Sequence, residues 1–245
     1  MMRNTVDILG VKFSSMGVDG SADYIMNLLG EDGFHYVFTP NSEMVMAAVG
    51  DKEFKEVLNS ADLLTADGIG IIYASKILGN PISERAAGYD ISLKLMEMAA
   101  TLGKTLYFFG AAPGVADKAK EIIEERFPGI KIIGTHDGYF DEAEEKRIIE
   151  EINSKKPDLL FVCLGCPKQE KWIFKNKDRL DTKVAMGLGG CLDVYAGNVK
   201  RAPDIYIKLG IEWLYRLMKE PKRFFRMLAL PKFMLKVIWH KISGK

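Results

Sequence analysis

Apolar runs of four to eight residues recur along most of the chain, and each is followed by a longer amphipathic stretch. A continuous apolar run of that length fits a strand buried on both faces, and the stretch behind it fits the helix that crosses back over the sheet. The alternation therefore predicts an α/β fold: a mostly parallel, Rossmann-like sheet flanked by helices. Strands are expected at about residues 7–13, 35–39, 63–66, 105–110, 131–134, 159–164 and 184–188. Helices should fill 22–29, 43–59 with a break at Gly50, 68–77, 91–102, 115–127, 143–153 and 168–176. The pattern stops at residues 200–204, where Arg201 and Pro203 stand, and only helical, basic sequence follows. This predicts a catalytic α/β domain over 1–200 and a helical appendage over 201–245.

Charge sharpens that division. Residues 201–245 hold eleven Lys or Arg against Asp204, Glu212 and Glu220, a net of +8 in a chain whose formal charge is only +1. The body is thus mildly acidic, and the appendage is basic and rich in aromatic residues. Helices are expected from 204 to 218, from 222 to 230 and from 232 to 242, with breaks at Pro221 and Pro231. Basic amphipathic helices of this kind lie in a membrane interface, and each cation near an anionic leaflet contributes roughly 1 kcal/mol. The competing reading is that their apolar face packs on the body or on a second subunit; a homo-oligomer is compatible with either. Nucleic acid is disfavoured as a partner because the acidic body offers no continuation of the positive surface.

The amino-terminal residues lack the apolar stretch of a secretory signal, and no uncharged apolar run of about 18 residues is available to span a bilayer. A cytoplasmic protein, peripheral on the inner face of the cell membrane, is the expectation. Three cysteines do not make a disulfide framework. Cys163 and Cys166 form a C-x-x-C without the second pair a zinc site requires, so they read as small buried or turn residues.

Polar residues gather where the expected strands end: Thr39 and Asn41, Thr65 and Asp67, Gly110 and Gly114, and His136 to Tyr139. In a parallel sheet these ends share one edge, the edge where ligands bind and where helix N-termini offer backbone N–H groups to phosphate. Taken singly, each is an ordinary capping or turn signal. Leu164-Gly165-Cys166-Pro167 followed at once by Lys168, Gln169 and Glu170 adds a strand, a tight turn and a polar helix start, and marks the edge of a nucleotide-type site. Other motifs fail. Gly103-Lys104-Thr105 lacks the first glycine of a P-loop, since position 98 is Met98. Gly187-Leu188-Gly189-Gly190 ends on Leu192 where a dinucleotide fingerprint needs glycine, which argues against an oxidoreductase. No Asp-x-Asp and no histidine cluster is present to hold a metal.

The string from Leu164 to Trp172, together with Thr39-Pro40-Asn41, Ala66-Asp67-Gly68, Gly138-Tyr139-Phe140 and the segment from Gly187 through Asp193 to Gly197, resembles the WecG/TagA/CpsF family of bacterial glycosyltransferases. The resemblance runs from about residue 5 to residue 240. It implies an enzyme of wall teichoic acid linkage-unit synthesis that moves N-acetylmannosamine from its UDP donor to undecaprenyl-diphosphate-linked N-acetylglucosamine. The transfer would be inverting, form a β-1,4 linkage, and need neither metal nor cofactor; a relative using another UDP-sugar for a surface polysaccharide is the alternative. It places Thr39, Asn41, Arg85 and Gln169 around the sugars, and Gly110, Gly138, Tyr139, Gly165, Lys168 and Asp193 at the nucleotide.

An inverting displacement requires a base for the acceptor hydroxyl and positive stabilisation of the departing diphosphate. Asp67, at a strand end before Gly68, is the chosen base, although a carboxylate there also fits a plain helix N-cap. Arg85 also fits an ion pair with Glu84 or another neighbour. Arg216, Arg223 and Arg226 would fall broadly on one side of a helical path and grip a diphosphate once the appendage closes over the strand ends; solvated surface charge is the plainer reading.

Overall fold

The computed structural model describes residues 5–219 and 228–244. In chain order its elements are β1 (Thr5–Ile8), β2 (Val11–Ser14), α1 (Val18–Leu28), β3 (His35–Phe38), α2 (Ser42–Gly50), α3 (Lys52–Asn59), β4 (Leu63–Leu64), α4 (Ile69–Leu78), α5 (Gly88–Leu102) and β5 (Thr105–Gly110). There follow α6 (Val115–Arg126), β6 (Lys131–His136), α7 (Glu142–Lys155), β7 (Leu159–Cys163), α8 (Lys168–Asn176), β8 (Val184–Gly187), α9 (Cys191–Tyr195), α10 (Asp204–Lys208), α11 (Glu212–Lys219) and α12 (Ala229–Ser243). They fall into two compact units. The first is built from Met1–Gly17, Thr39–Ala87 and Arg201–Lys245, the second from Val18–Phe38 and Gly88–Lys200.

The second unit holds parallel strands in the order β3-β8-β7-β5-β6. The apolar runs become its central strands because both faces are covered: every residue of β7 is buried, as is β5 from Leu106 to Gly110. Leu106 pairs with Leu159 and Gly110 with Cys163, and the stacked rings of Phe108 and Phe161 lie 5.9 Å apart at the centre. From β5 the chain steps outward through α6 to β6. It then returns to the other side of β5 as β7 and moves on through α8 to β8, so its direction reverses between β5 and β7. Ligands of open α/β sheets bind at such a reversal, beyond the carboxyl ends of the strands.

In the first unit, the expected strand over 7–13 is instead an antiparallel hairpin, with Thr5 opposite Ser14 and Ile8 opposite Val11. Leu9 and Gly10 both take positive φ, 57° and 85°, which is the backbone of a two-residue hairpin turn. Leucine rarely supplies that conformation, so the apolar run hid the turn. Asn59 pins the turn to α3, accepting from Lys12 N at 3.0 Å and donating to Gly10 O at 2.8 Å.

Two expectations for the carboxyl-terminal segment are corrected. The helix expected over 204–218 is interrupted at Gly210 and forms α10 and α11. Pro231 does not end a helix; it is the third residue of α12, where the N–H it lacks would have no intrahelical partner. α12 packs against α4 and α2, burying Phe233 and Val237 on one face. Leu235, Ile238, Trp239 and Ile242 are exposed, at the i, i+3, i+4, i+7 spacing of a single stripe. Among the described residues no helix is long and apolar enough to cross a membrane.

Candidate active site

Asn41, Asp67 and Arg85 line one cavity of about 510 Å³ in the first unit, a volume usual for a small-molecule site. Three short contacts bring them together. Asp67 N donates to Pro40 O at 3.3 Å, tying the end of β4 to the Thr39-Pro40-Asn41 loop. Ala86 N donates to Ala66 O at 3.0 Å, and Ile82 N to the buried Ser75 Oγ at 2.9 Å, which fixes the loop that carries Arg85. Thr39 opens the same loop but is not among the lining residues.

The capping reading separates Asn41 from Asp67. Asn41 is the N-cap of α2, and its Oδ1 accepts from Glu43 N and Met44 N at 3.0 and 3.1 Å. Only its amide nitrogen end remains for a ligand. The N-cap of α4 is Gly68, at φ +92°, and no side chain caps that helix. Asp67 is therefore not an N-cap. A positive-φ glycine after it turns the chain sharply into α4 and leaves the carboxylate at the cavity wall. Arg85 Nη1 donates to Glu212 Oε2 at 2.7 Å, with both side chains largely buried. An ion-pair partner for Arg85 thus comes from α11. Ile207, Leu209, Trp213 and Leu230 add apolar side chains to a lining that also holds the charged Glu43, Asp67, Lys76, Arg85 and Glu212.

The second unit offers a different kind of site, at the reversal between β5 and β7. Gly110 has φ +131°, and a Cβ there would meet Cys163 O at 2.3 Å, so only glycine fits. Ala111 takes φ 62°, donates its N–H to Cys163 O at 3.0 Å and accepts from Gly138 N at 2.8 Å. These bonds clamp the loops after β5, β6 and β7 together. Lys168 Nζ donates to Gly138 O at 2.9 Å and sits 4.4 Å from the ring centre of Phe140. Tyr139, 73% exposed, presents a bare ring beside them. Gly165 turns the chain from β7 toward α8. Asp193 stands in α9 as a half-buried residue whose carbonyl accepts from Asn198 N and Val199 N.

Gln169 lies in this second unit. Its Oε1 accepts from Gly189 N at 2.9 Å and its Nε2 donates to Glu170 Oε1 at 2.7 Å, which locks the amide orientation. Glu170 is fully buried, and its Oε2 has no hydrogen-bond partner among the described residues. Burial pushes its carboxyl up to about 7.

Comparison with known proteins identifies the lineage. The model of the glycosyl transferase WecG/TagA/CpsF family matches residues 6–245. The chain belongs to this family. It is 40% identical over 206 residues to the N-acetylglucosaminyldiphosphoundecaprenol N-acetyl-beta-D-mannosaminyltransferase of Bacillus spizizenii strain W23, covering 84% of this chain and 79% of that one. It is 38% identical over 209 residues to the protein of that name from Bacillus subtilis strain 168, covering 85% and 81%. The corresponding protein of Staphylococcus aureus strain MRSA252 is 35% identical over 234 residues, covering 95% and 91%. The chain is thus a WecG/TagA/CpsF glycosyltransferase.

Several participants were invisible in the sequence. Glu212 lies 127 residues from Arg85, and no periodicity connects them. Tyr73 and Lys76 also line the cavity; the i, i+3, i+4, i+7 spacing of Ile69, Ile72, Tyr73 and Lys76 was the available signal. Of the expected appendage arginines, Arg216 falls within α11, and Arg223 and Arg226 lie outside the described residues. Among the described residues no three His, Cys, Asp or Glu side chains are grouped as a metal would need.

Proposed function

We propose that this glycosyltransferase moves N-acetylmannosamine, with inversion, from UDP-N-acetylmannosamine to a polyprenyl-diphosphate-linked N-acetylglucosamine, in a β-1,4 linkage of the wall teichoic acid linkage unit. The observation that carries the reading is Asp67 in a cavity lined by both charged and apolar side chains. Such a lining suits an acceptor with a sugar at one end and a lipid at the other. The names of the relatives support the transferred sugar and the acceptor.

In this mechanism the Asp67 carboxylate takes the proton of the acceptor hydroxyl as that oxygen attacks the anomeric carbon. The bond from that carbon to the donor diphosphate breaks, and its electron pair leaves on UDP. The clamped loops of the second unit hold the nucleotide, with Tyr139 stacking on the base and Lys168 near the diphosphate. Asn41 and Arg85 orient the acceptor sugar in the cavity, and the family resemblance assigns Thr39 and Gln169 to sugar binding as well. The protein works at the inner face of the membrane: the exposed stripe on α12 enters the interface, and the cations of residues 216–245 meet anionic headgroups.

A panel of UDP-sugars with a lipid-diphosphate-linked N-acetylglucosamine acceptor, run with and without EDTA, tests the proposal. Transfer from UDP-N-acetylmannosamine that survives chelation is expected. Preferred transfer from another UDP-sugar would place the chain in a different surface-polysaccharide route, and activity restored only by a divalent cation would overturn the metal-free mechanism.

A further inference from the structure

The helix that begins beside Asp67 lines the cavity along one face, with Ile69, Ile72, Tyr73 and Lys76 in helical succession. Lys76 lines the cavity and is exposed to solvent. Seven helical residues separate it from Ile69, a rise of about 10 Å, roughly the length of a sugar ring followed by two phosphates. Charge at the cavity is otherwise unfavourable to phosphate, because Glu43, Asp67 and Glu212 also line it. Arg85, the other cation lining it among the described residues, is held by Glu212 at 2.7 Å. Lys76 makes no side-chain hydrogen bond or ion pair among the described residues.

We propose that Lys76 binds the diphosphate of the acceptor, so that the sugar it carries runs back along the Tyr73 face of α4 toward Asp67. This rests on the transferase reading and assigns that site its acceptor track. A solvent-exposed cation would set the depth of insertion: the sugar hydroxyl meets Asp67 only when the diphosphate has reached the ammonium. The plainer role is a favourable charge in the last turn of α4, where Lys76 also sits.

Lys76→Met and Lys76→Arg separate the two. Each is assayed with a short-chain, soluble alkyl-diphosphate-N-acetylglucosamine and with an alkyl N-acetylglucosaminide that lacks phosphate. For Lys76→Met the KM for the diphosphate acceptor should rise by about tenfold or more, the scale of one charge-assisted hydrogen bond. The phosphate-free acceptor, the KM for the UDP-sugar and sedimentation with anionic vesicles should stay within about twofold, and Lys76→Arg should recover most of the loss. Equal effects on both acceptors, or none, would overturn the proposal. A change confined to the UDP-sugar would move Lys76 to the donor, and one confined to vesicles would move it to lipid headgroups. If the wild-type protein transfers nothing, the transferase reading falls by itself. Calorimetric titration with the alkyl-diphosphate sugar then judges Lys76 alone, through a tenfold weaker affinity in Lys76→Met or its absence.

Discussion

The two sites are made of different material. At the sheet reversal of the second unit, the loops are joined backbone to backbone through Gly110, Ala111, Cys163 and Gly138, and the one lysine present is tied to a carbonyl. In the first unit, the cavity is made by side chains: a carboxylate, a capping amide, an arginine held by Glu212 and an apolar wall. A surface of fixed backbone dipoles suits an invariant group such as a nucleoside diphosphate, because it costs no reorganisation when the ligand arrives. Side chains suit proton transfer and the recognition of a particular acceptor. On the proposed mechanism, the backbone-built site holds the nucleotide and the side-chain-built cavity does the chemistry.

The comparison breaks first at Asp67. Asp67→Asn keeps the volume and removes the base, so transfer should fall by about 10²–10⁴ in rate. Turnover near that of the wild type would remove the carboxylate from the mechanism.

The second test concerns the buried carboxyl of Glu170 in α8 of the second unit. Burial favours the neutral form and raises its pKa from an ordinary 4.5 to about 7. Between those values the native chain holds a proton that the unfolded chain has released, so stability falls as pH rises through that window. Above it the full cost stands, about 3 kcal/mol at 1.36 kcal/mol per pKa unit. Glu170→Gln should therefore be more stable than wild type by about 3 kcal/mol at pH 8 and nearly equal to it at pH 4, as measured by urea unfolding. A difference independent of pH would show that the carboxyl is solvated.

The smallest effect is expected at the outer face of α12. Replacing Trp239 and Ile242 with Ser should weaken sedimentation with anionic vesicles severalfold while changing stability by less than about 1 kcal/mol, since both side chains are exposed. Large destabilisation would mean that the stripe is covered within the protein.

Legibility in the sequence follows the same division. Parallel strands buried on both faces leave long apolar runs, so β5, β7 and the helices between them could be read almost to the residue, as could the glycines at their ends. The hairpin at Leu9 and Gly10 was hidden because a leucine adopts the turn conformation. Pro231 misled because a proline in a first turn and one that ends a helix look alike without the helix start. The cavity was half legible: Asn41 and Asp67 stood at expected strand ends and Arg85 came through the family resemblance, whereas Glu212 reached Arg85 through tertiary packing alone. Glu170 read as one of the polar groups at the helix start beside Lys168 and Gln169, and nothing local marked it as buried.

The central claim is the separation of nucleotide holding from chemistry, and it is tested most directly by measuring UDP affinity and single-turnover transfer on the same two variants. Asp67→Asn should bind UDP as tightly as wild type and transfer at least about a hundredfold more slowly. Tyr139→Ala should bind UDP about tenfold more weakly, the scale of one lost stacking contact, yet transfer at the wild-type rate when donor saturates. Weakened UDP binding in Asp67→Asn, together with a slowed chemical step in Tyr139→Ala, would contradict the account.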